Sequence, residues 1–274
     1  METPHRTTIP LPPPPNLRLE DPASQRGIAL HGVSKRFGSK VVLDECDLLV
    51  HKGETLVIIG RSGEGKSVLL KNLVRLLEPD AGQIWVEGQE VTGLEHHELM
   101  ELRKKFGFLF QGAALFDSMT ICQNVGLMLK EHMDWSDERI LHRAYECLAM
   151  VGLDDANDKL PSELSGGMKK RAGLARAIVM EPEYILYDEP TTGLDPITSD
   201  AINDLILKLQ RELGVTSIVV THDMPSAFKV GNRIAMLSGG RIVFVGSVED
   251  IKRTDHPLVR QFIEGRADGP LGVF

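Results

Sequence analysis

The 274-residue chain has few cysteines and no long apolar run. Its three cysteines, Cys46, Cys122 and Cys147, are widely spaced and form no C-x-x-C pair, which argues against a zinc site or a disulfide framework. The longest apolar runs have the length of a strand and fall well short of the roughly 20 residues that span a bilayer. We therefore expect a protein of a reducing compartment, held at a membrane, if at all, by other subunits.

Positive charge is also in short supply. The 31 Lys and Arg residues are outnumbered by 39 Asp and Glu residues, giving a formal net charge of −8 at pH 7. A chain with this balance has no general basic field that attracts nucleic acid, so we expect no nucleic acid as its main partner. Hydrophobic residues (42%) and charged residues (26%) lie near the globular averages, which excludes wholesale disorder and a membrane-embedded chain.

The chain divides into a proline-rich start, a long alternating segment and a short end. Residues 1–26 carry seven prolines, a density that predicts a disordered tail. From residue 27 to about residue 250, apolar strands alternate with amphipathic helices, which predicts an α/β fold with a mostly parallel sheet. A mainly helical stretch, about 112–164, is predicted to be a subdomain inserted at the rim of that sheet, with Ser136 as the N-cap of one of its helices. A further helix is predicted at Pro196–Leu213.

A glycine-rich loop (residues 60–67) lies between a predicted strand, Thr55–Ile59, and a helix predicted at Ser67–Leu77. It matches G-x-x-x-x-G-K-[ST], in which backbone N–H groups and the helix dipole bind phosphates. We expect Lys66 to reach the β- and γ-phosphates and Ser67 to bind Mg²⁺; a solvated glycine-rich turn is the weaker interpretation. The predicted nucleotide-binding residues here are Gly60, Arg61, Ser62, Gly63, Glu64, Gly65, Lys66, Ser67 and Val68.

Two adjacent carboxylates follow a second apolar strand, predicted at Tyr184–Tyr187. Asp188 and Glu189 would lie at the carboxyl edge of the sheet, where ligands of open α/β folds bind. We expect Asp188 to hold Mg²⁺ and Glu189 to orient and deprotonate an attacking water. Adjacent acids are common surface residues, so this prediction depends on the nearby glycine-rich loop.

A Ser-Gly-Gly turn (residues 164–168) begins another predicted helix. Ser165, Gly166 and Gly167 could present N–H groups and a hydroxyl to an anion, although residue chemistry alone favours a plain helix cap. The Lys-Lys-Arg run at 169–171 that follows is typical of a solvated helix face.

The order of these motifs, with Gln111, Gly193-Leu194-Asp195 and His222 in their places, resembles the nucleotide-binding subunit of ABC transporters over about residues 27–250. The resemblance implies the P-loop NTPase fold of ABC ATPases, a RecA-like core with an antiparallel β subdomain and a helical subdomain. It also implies ATP and Mg²⁺ as ligands and ATP hydrolysis as the activity.

The same resemblance implies a head-to-tail homodimer, in which Lys66 of one copy faces Ser165 and Gly167 of the other across each γ-phosphate. Gln111 would contact Mg²⁺ or the attacking water, His222 the γ-phosphate, and Phe37 the adenine ring, while Asp195 would lie in a loop joining the copies. From the residues alone, His222 could be a core histidine, Gln111 a surface amide and Phe37 a packing residue. Met168 and Val68 replace commoner Gln and Thr; hydrolysis is expected to survive both changes.

Within this family, four segments resemble the Mla ATPase group: residues 108–120, 165–171, 187–196 and 259–270. That resemblance implies phospholipid transport between two membranes, with a permease dimer, an MCE-domain lipid-binding protein and a small accessory subunit as partners. It places the chain peripherally on the cytoplasmic face of the inner membrane, with residues 251–274 contacting other subunits.

Other interpretations stay open. The chain could serve another ABC importer or exporter, or be a non-transport ABC ATPase, although the tandem cassettes and metal-binding cysteines common there are missing. A P-loop kinase or GTPase would have no use for the Ser-Gly-Gly turn. The apolar residues Leu115, Phe116 and Met119 after Gln111 could receive a permease helix or belong to the core.

Overall fold

The computed structural model describes residues 26–271, so the proline-rich start before residue 26 lies outside the described part. The strands in chain order are β1 Gly27–Phe37, β2 Lys40–His51, β3 Thr55–Ile59, β4 Ala81–Val86, β5 Gln89–Glu90, β6 Phe106–Leu109, β7 Tyr184–Asp188, β8 Thr216–Thr221, β9 Arg233–Ser238 and β10 Arg241–Ser247. The α-helices are α1 Lys66–Leu73, α2 His96–Lys104, α3 Ile121–His132, α4 Asp137–Met150, α5 Gly166–Ile178, α6 Pro196–Leu213, α7 Met224–Val230, α8 Val248–Arg253 and α9 Pro257–Ile263.

Across residues 26–271 these strands form two sheets. The larger has the order β10-β9-β3-β8-β7-β6, with β10 antiparallel and the other strands parallel. Every residue of β3, β7 and β8 is buried, because helices cover both faces of a parallel sheet. The smaller sheet, β2-β1-β4-β5, is antiparallel. The predicted α/β fold with a parallel core and an antiparallel β part is confirmed.

A helical layer of α3, α4 and α5 lies between β6 and β7 in the chain. Ser136 caps α4 as predicted, its hydroxyl accepting a hydrogen bond from the Arg139 backbone N–H. The buried side chains of α3 and α4 join the same hydrophobic cluster as β7 and α6. This layer therefore packs continuously onto the sheet.

The observed ends agree with the predicted ends for helix α6 but not for helix α1. Helix α6 has the predicted bounds because Asp195 accepts hydrogen bonds from two N–H groups of its first turn, and Gly214 ends it with φ 63°. Helix α1 was predicted to reach Leu77 but ends at Leu73. The reason is local: Arg75 has φ 48°, and the Asn72 amide donates to the Leu77 carbonyl.

The end of the described chain folds back onto its own subunit. Ile251, Leu258 and Val259 are buried in the larger core. The buried Gln261 carboxamide accepts a hydrogen bond from Leu271 N–H and donates to the carbonyls of residues 266 and 267. Among residues 26–271, the helices are all too short or too polar to cross a bilayer.

Candidate active site

The glycine-rich loop joins β3 to α1 in a conformation that other residues rarely adopt. Gly60, Gly63 and Gly65 have φ angles of 157°, 81° and 101°. A Cβ atom on Gly65 would lie 2.7 Å from a Val42 methyl group, so this position also demands the absence of a side chain. The loop can therefore turn successive N–H groups toward one anion at the start of α1.

Lys66, the first residue of α1, extends back over this loop. Its buried ammonium group donates to the carbonyls of Gly60 at 2.8 Å and Arg61 at 3.1 Å. Ser67 follows and donates its hydroxyl hydrogen to Asp188 Oδ1 at 2.6 Å. The two motifs that sequence reasoning joined, the glycine-rich loop and the carboxylates after β7, thus meet in the structure.

Glu189 reaches the same place because the backbone turns sharply after β7. Its φ of 49° lies in the left-handed region, and its N–H donates to the Val220 carbonyl of the neighbouring strand. The turn directs the carboxylate toward Lys66, whose Nζ atom lies 3.3 Å from Oε1. Asp188 and Glu189 are adjacent in sequence, and this conformation allows both to face the glycine-rich loop.

Three donors surround the nearly buried Glu189 carboxylate. Besides Lys66, the Thr192 hydroxyl lies at 3.0 Å and His222 Nδ1 at 2.9 Å. Because an ionised carboxylate only accepts hydrogen bonds, His222 Nδ1 must carry the hydrogen in this contact. Sequence reasoning missed Thr192, which no pattern distinguished from the threonine beside it.

The oxygens of Ser67 and Asp188 suit a hard divalent cation. Burial raises the pKa of the Asp188 carboxyl group, whereas the hydrogen bond from Ser67 opposes that rise. A hydroxyl and a carboxylate oxygen held this close form the donor set that Mg²⁺ prefers, and a cation would favour the ionised carboxylate. The residues present therefore fit a magnesium ion.

Gln111 follows β6, and helix α5 fixes the backbone around it. Lys170 Nζ donates to the Gln111 carbonyl and, at 2.9 Å, to the Glu189 carbonyl. Arg176, six residues further along α5, donates to the carbonyls of Ala113 and Ala114 at 2.5 and 2.6 Å. The Gln111 segment (residues 110–114) is thus held by cationic side chains, although Ala113 and Ala114 both have positive φ angles.

The prediction of a solvated Lys-Lys-Arg face is wrong for Lys170, which is only 5% exposed. Burial lowers the pKa of its ammonium group to about 8, and the nearby charges of Asp188 and Glu189 act in the opposite direction. A helical pattern could have revealed the position, because Lys170 precedes the buried Leu174 and Ala177 by one and two turns.

The Ser-Gly-Gly turn lies at the first turn of α5, where Ser165 caps the helix by accepting from Met168 N–H. A Cβ on Gly167 would come within 2.6 Å of Thr198 in α6, so the turn packs close to the start of that helix. Asp195 caps α6 there. In the described part of one chain, the hydrogen bond found for the Ser165 hydroxyl joins it to its own helix and not to Lys66.

The other predicted residues lie around the glycine-rich loop. Phe37 ends β1, is 47% exposed and has the Lys35 ammonium group 5.6 Å from its ring centre. Glu64 accepts a hydrogen bond from Gly239 N–H, and Arg61 donates to the Leu271 carbonyl. Val68 packs against the smaller hydrophobic cluster, while Ser62 is exposed.

Comparison with known proteins identifies the family. The family model described as ABC transporter matches residues 43–192, which is more than half of the chain. The chain belongs to the ABC transporter family. The chain is therefore an ATP-hydrolysing subunit of a transporter.

Individual relatives agree with this assignment. The chain is 41% identical over 246 residues to the probable ribonucleotide transport ATP-binding protein mkl of Mycobacterium tuberculosis, covering 90% of this chain and 68% of that one. It is 38% identical over 244 residues to the intermembrane phospholipid transport system ATP-binding protein MlaF of Escherichia coli, covering 89% and 91%. Its fold matches a dimeric ATP-binding cassette, MJ0796, bound to ADP and Pi, with a TM-score of 0.74, 34% identity and coverage of 81% and 98%.

Proposed function

We propose that this ABC ATPase energises phospholipid transport between two membranes through a partner permease. The likeness to the intermembrane phospholipid transport ATPase supports this most strongly, because it extends over 91% of that protein. The mycobacterial relative carries a different transport name but is matched over only 68% of its length. Ribonucleotide transport is therefore the second candidate, and the identity of the transported molecule separates the two.

An apolar groove beside the Gln111 segment supports a permease partner. Its volume is about 430 Å³, and its lining includes Phe108, Phe110, Phe116 and Met128. Phe116 is 51% exposed, so a helix with apolar side chains could bury it. Of the other two apolar residues expected there, Leu115 packs against the larger core and Met119 lines a separate cavity.

Each residue at the carboxyl edge of the sheet has a role in ATP hydrolysis under this proposal. Lys66 and the N–H groups of the glycine-rich loop bind the β- and γ-phosphates, and Glu189 accepts the proton of the attacking water. Ser67, Asp188 and Gln111 would hold Mg²⁺, which would neutralise charge that develops on the phosphate oxygens. Since His222 Nδ1 already donates to Glu189, a second hydrogen bond from Nε2 to phosphate requires a cationic ring or release from Glu189.

A second copy of the chain completes each site in this proposal. Ser165 and Gly166 are exposed and so accessible to a partner's nucleotide, and Asp195 is exposed beside them, whereas Gly167 is buried against Thr198. The similar cassette MJ0796 is dimeric. Phe37 would stack on adenine. Residues 112–164 would move as a helical subdomain on the ATPase domain, which spans residues 27–250. Residues 251–274 would contact neighbouring subunits.

The partners and the transported molecule can be tested together. We expect an affinity-tagged chain, purified in mild detergent from membranes of its source organism, to bring down a permease, an MCE-domain protein and a small accessory subunit. Extraction and mass spectrometry should find phospholipid bound to this complex. Retention of ribonucleotides in place of lipid would contradict the proposal, as would a chain that never associates with the cytoplasmic face of the membrane.

A further inference from the structure

The ends of β6 and β7 are bridged by a side chain of α5. The two strands pair in parallel from Phe106 and Tyr184 up to Leu109 and Tyr187, and this pairing ends before Gln111 and Glu189. Their carbonyl groups there both accept hydrogen bonds from Lys170. The ammonium group therefore joins the backbone of two active-site residues where the sheet no longer does.

We propose that Lys170 is a positioning residue for ATP hydrolysis, which holds the backbone of Gln111 and Glu189 in the geometry that hydrolysis requires. The inference rests on the roles proposed above for those two residues. The hydrogen bonds found for Lys170 go to these two backbone carbonyl groups and not to the side chains that would act on the water. Its effect is therefore exerted through Gln111 and Glu189.

The position of Lys170 on α5 extends this role to the Ser-Gly-Gly turn. Ser165 caps the first turn of the helix, Lys170 lies in its middle, and Arg176 near its end holds Ala113 and Ala114. A 13-residue helix is stiff along its axis. A shift of the Ser-Gly-Gly turn on binding is therefore carried to the Gln111 segment and to Glu189 by the same element.

Because Lys170 is buried, it could stabilise the fold without positioning Gln111 and Glu189, and the two roles must be distinguished. A cation in a nearly dry site stabilises the fold merely by satisfying two buried carbonyl groups. A merely structural role predicts that its loss weakens stability, ATP binding and turnover together. A positioning role predicts that turnover falls while ATP affinity is kept, because the glycine-rich loop is held by other contacts.

The test measures ATP affinity and kcat for Lys170→Met, Lys170→Gln and Lys170→Arg, with Lys169→Met as the matched control. We expect Lys170→Met to lower kcat roughly 10- to 100-fold with the Kd for ATP changed less than about threefold. Lys170→Arg keeps a cationic donor and should recover most of kcat, whereas Lys170→Gln keeps a neutral donor and covers the case in which Lys170→Met fails to fold. Lys169→Met should match the parent.

A double-mutant cycle with Gln111→Ala decides whether Lys170 acts through that residue. We expect the double variant to lose much less than the product of the two single losses. Multiplying losses would contradict the inference for Gln111. An unchanged kcat in both Lys170→Met and Lys170→Gln, or equal losses of kcat and ATP affinity, would overturn it altogether. If Glu189→Gln also turned over ATP at the parent rate, the fault would lie in the proposed roles and not in Lys170 alone.

Discussion

The two edges of the candidate active site, the glycine-rich loop and the Gln111 segment, are held by different means. At the glycine-rich loop, backbone geometry fixes the structure. The loop lies between β3 and α1, and glycines with positive φ angles form its turn. At the Gln111 segment, side chains do it, because Lys170 and Arg176 of α5 fix carbonyl groups that no strand or helix satisfies. The first edge is built from neighbours in sequence and the second from residues some 60 positions apart.

This difference suggests that the glycine-rich loop serves phosphate binding, whereas the Gln111 segment couples the active site to the Ser-Gly-Gly turn. A loop fixed by its own backbone presents the same anion site whatever the helical layer does. A segment fixed by α5 follows that helix, which also carries the Ser-Gly-Gly turn. We therefore expect changes at the first edge to abolish nucleotide binding or chemistry outright, and changes at the second to alter how well the parts are aligned.

The largest effect is expected at the first edge, from Lys66→Ala. Removing the ammonium group takes away the positive charge beside the phosphates, and ATP turnover should fall by about 1,000-fold or more. Phosphate release from the purified chain measures this, with Lys104→Ala in α2, where the ammonium group pairs with Glu101, as a control. A Lys66→Ala variant with more than a tenth of the parent rate would show that the loop does not bind the reacting phosphates.

The next effect concerns Glu189, where the two edges meet. Glu189→Gln keeps the size and hydrogen-bonding reach of the side chain but removes the base, so kcat should fall by about 100-fold or more while ATP still binds. ATP should then hold the chain in a closed dimer, visible by size-exclusion chromatography. Turnover at the parent rate would show that another group accepts the proton.

The contact between α5 and β6 can be broken without touching a charged group. A Cβ on Gly107 would lie 2.2 Å from the Ala177 carbonyl oxygen, so Gly107→Ala must push α5 away from the strand that leads to Gln111. We expect a loss of about 3 kcal/mol in the free energy of unfolding, measured in urea. Gly93→Ala is the control, because its Cβ meets nothing within 4 Å; equal effects of the two changes would contradict the packing described.

The smallest effect is expected at Phe37, on the rim of the first edge. Phe37→Ala removes an exposed ring, so stability should hardly change, while loss of stacking on adenine should raise the KM for ATP about fivefold with little change in kcat. Phe37→Trp keeps an aromatic face and should preserve the parent KM. An unchanged KM in Phe37→Ala would show that this ring does not stack on adenine.

The structure around the glycine-rich loop could be predicted from the sequence more fully than the structure around the Gln111 segment. Strand β3 and helix α6 have the predicted bounds because burial, capping and glycine signals lie within a few residues of each end. Helix α1 ended early because Asn72 and Arg75 form a local turn that the leucine pattern hides. Lys170 was misjudged because its partners, Gln111 and Glu189, are brought to it only by the tertiary fold.

Mixing two inactive variants tests the central claim most directly, namely that two copies of the chain share each site. Lys66→Ala and Ser165→Arg are each expected to be inactive alone. In a mixed dimer one site holds both changes and the other holds neither, so mixing equal amounts should restore ATP turnover to about a quarter of the parent rate. If no activity returned when mixed dimers form, each site would be built within a single chain and the account would be contradicted.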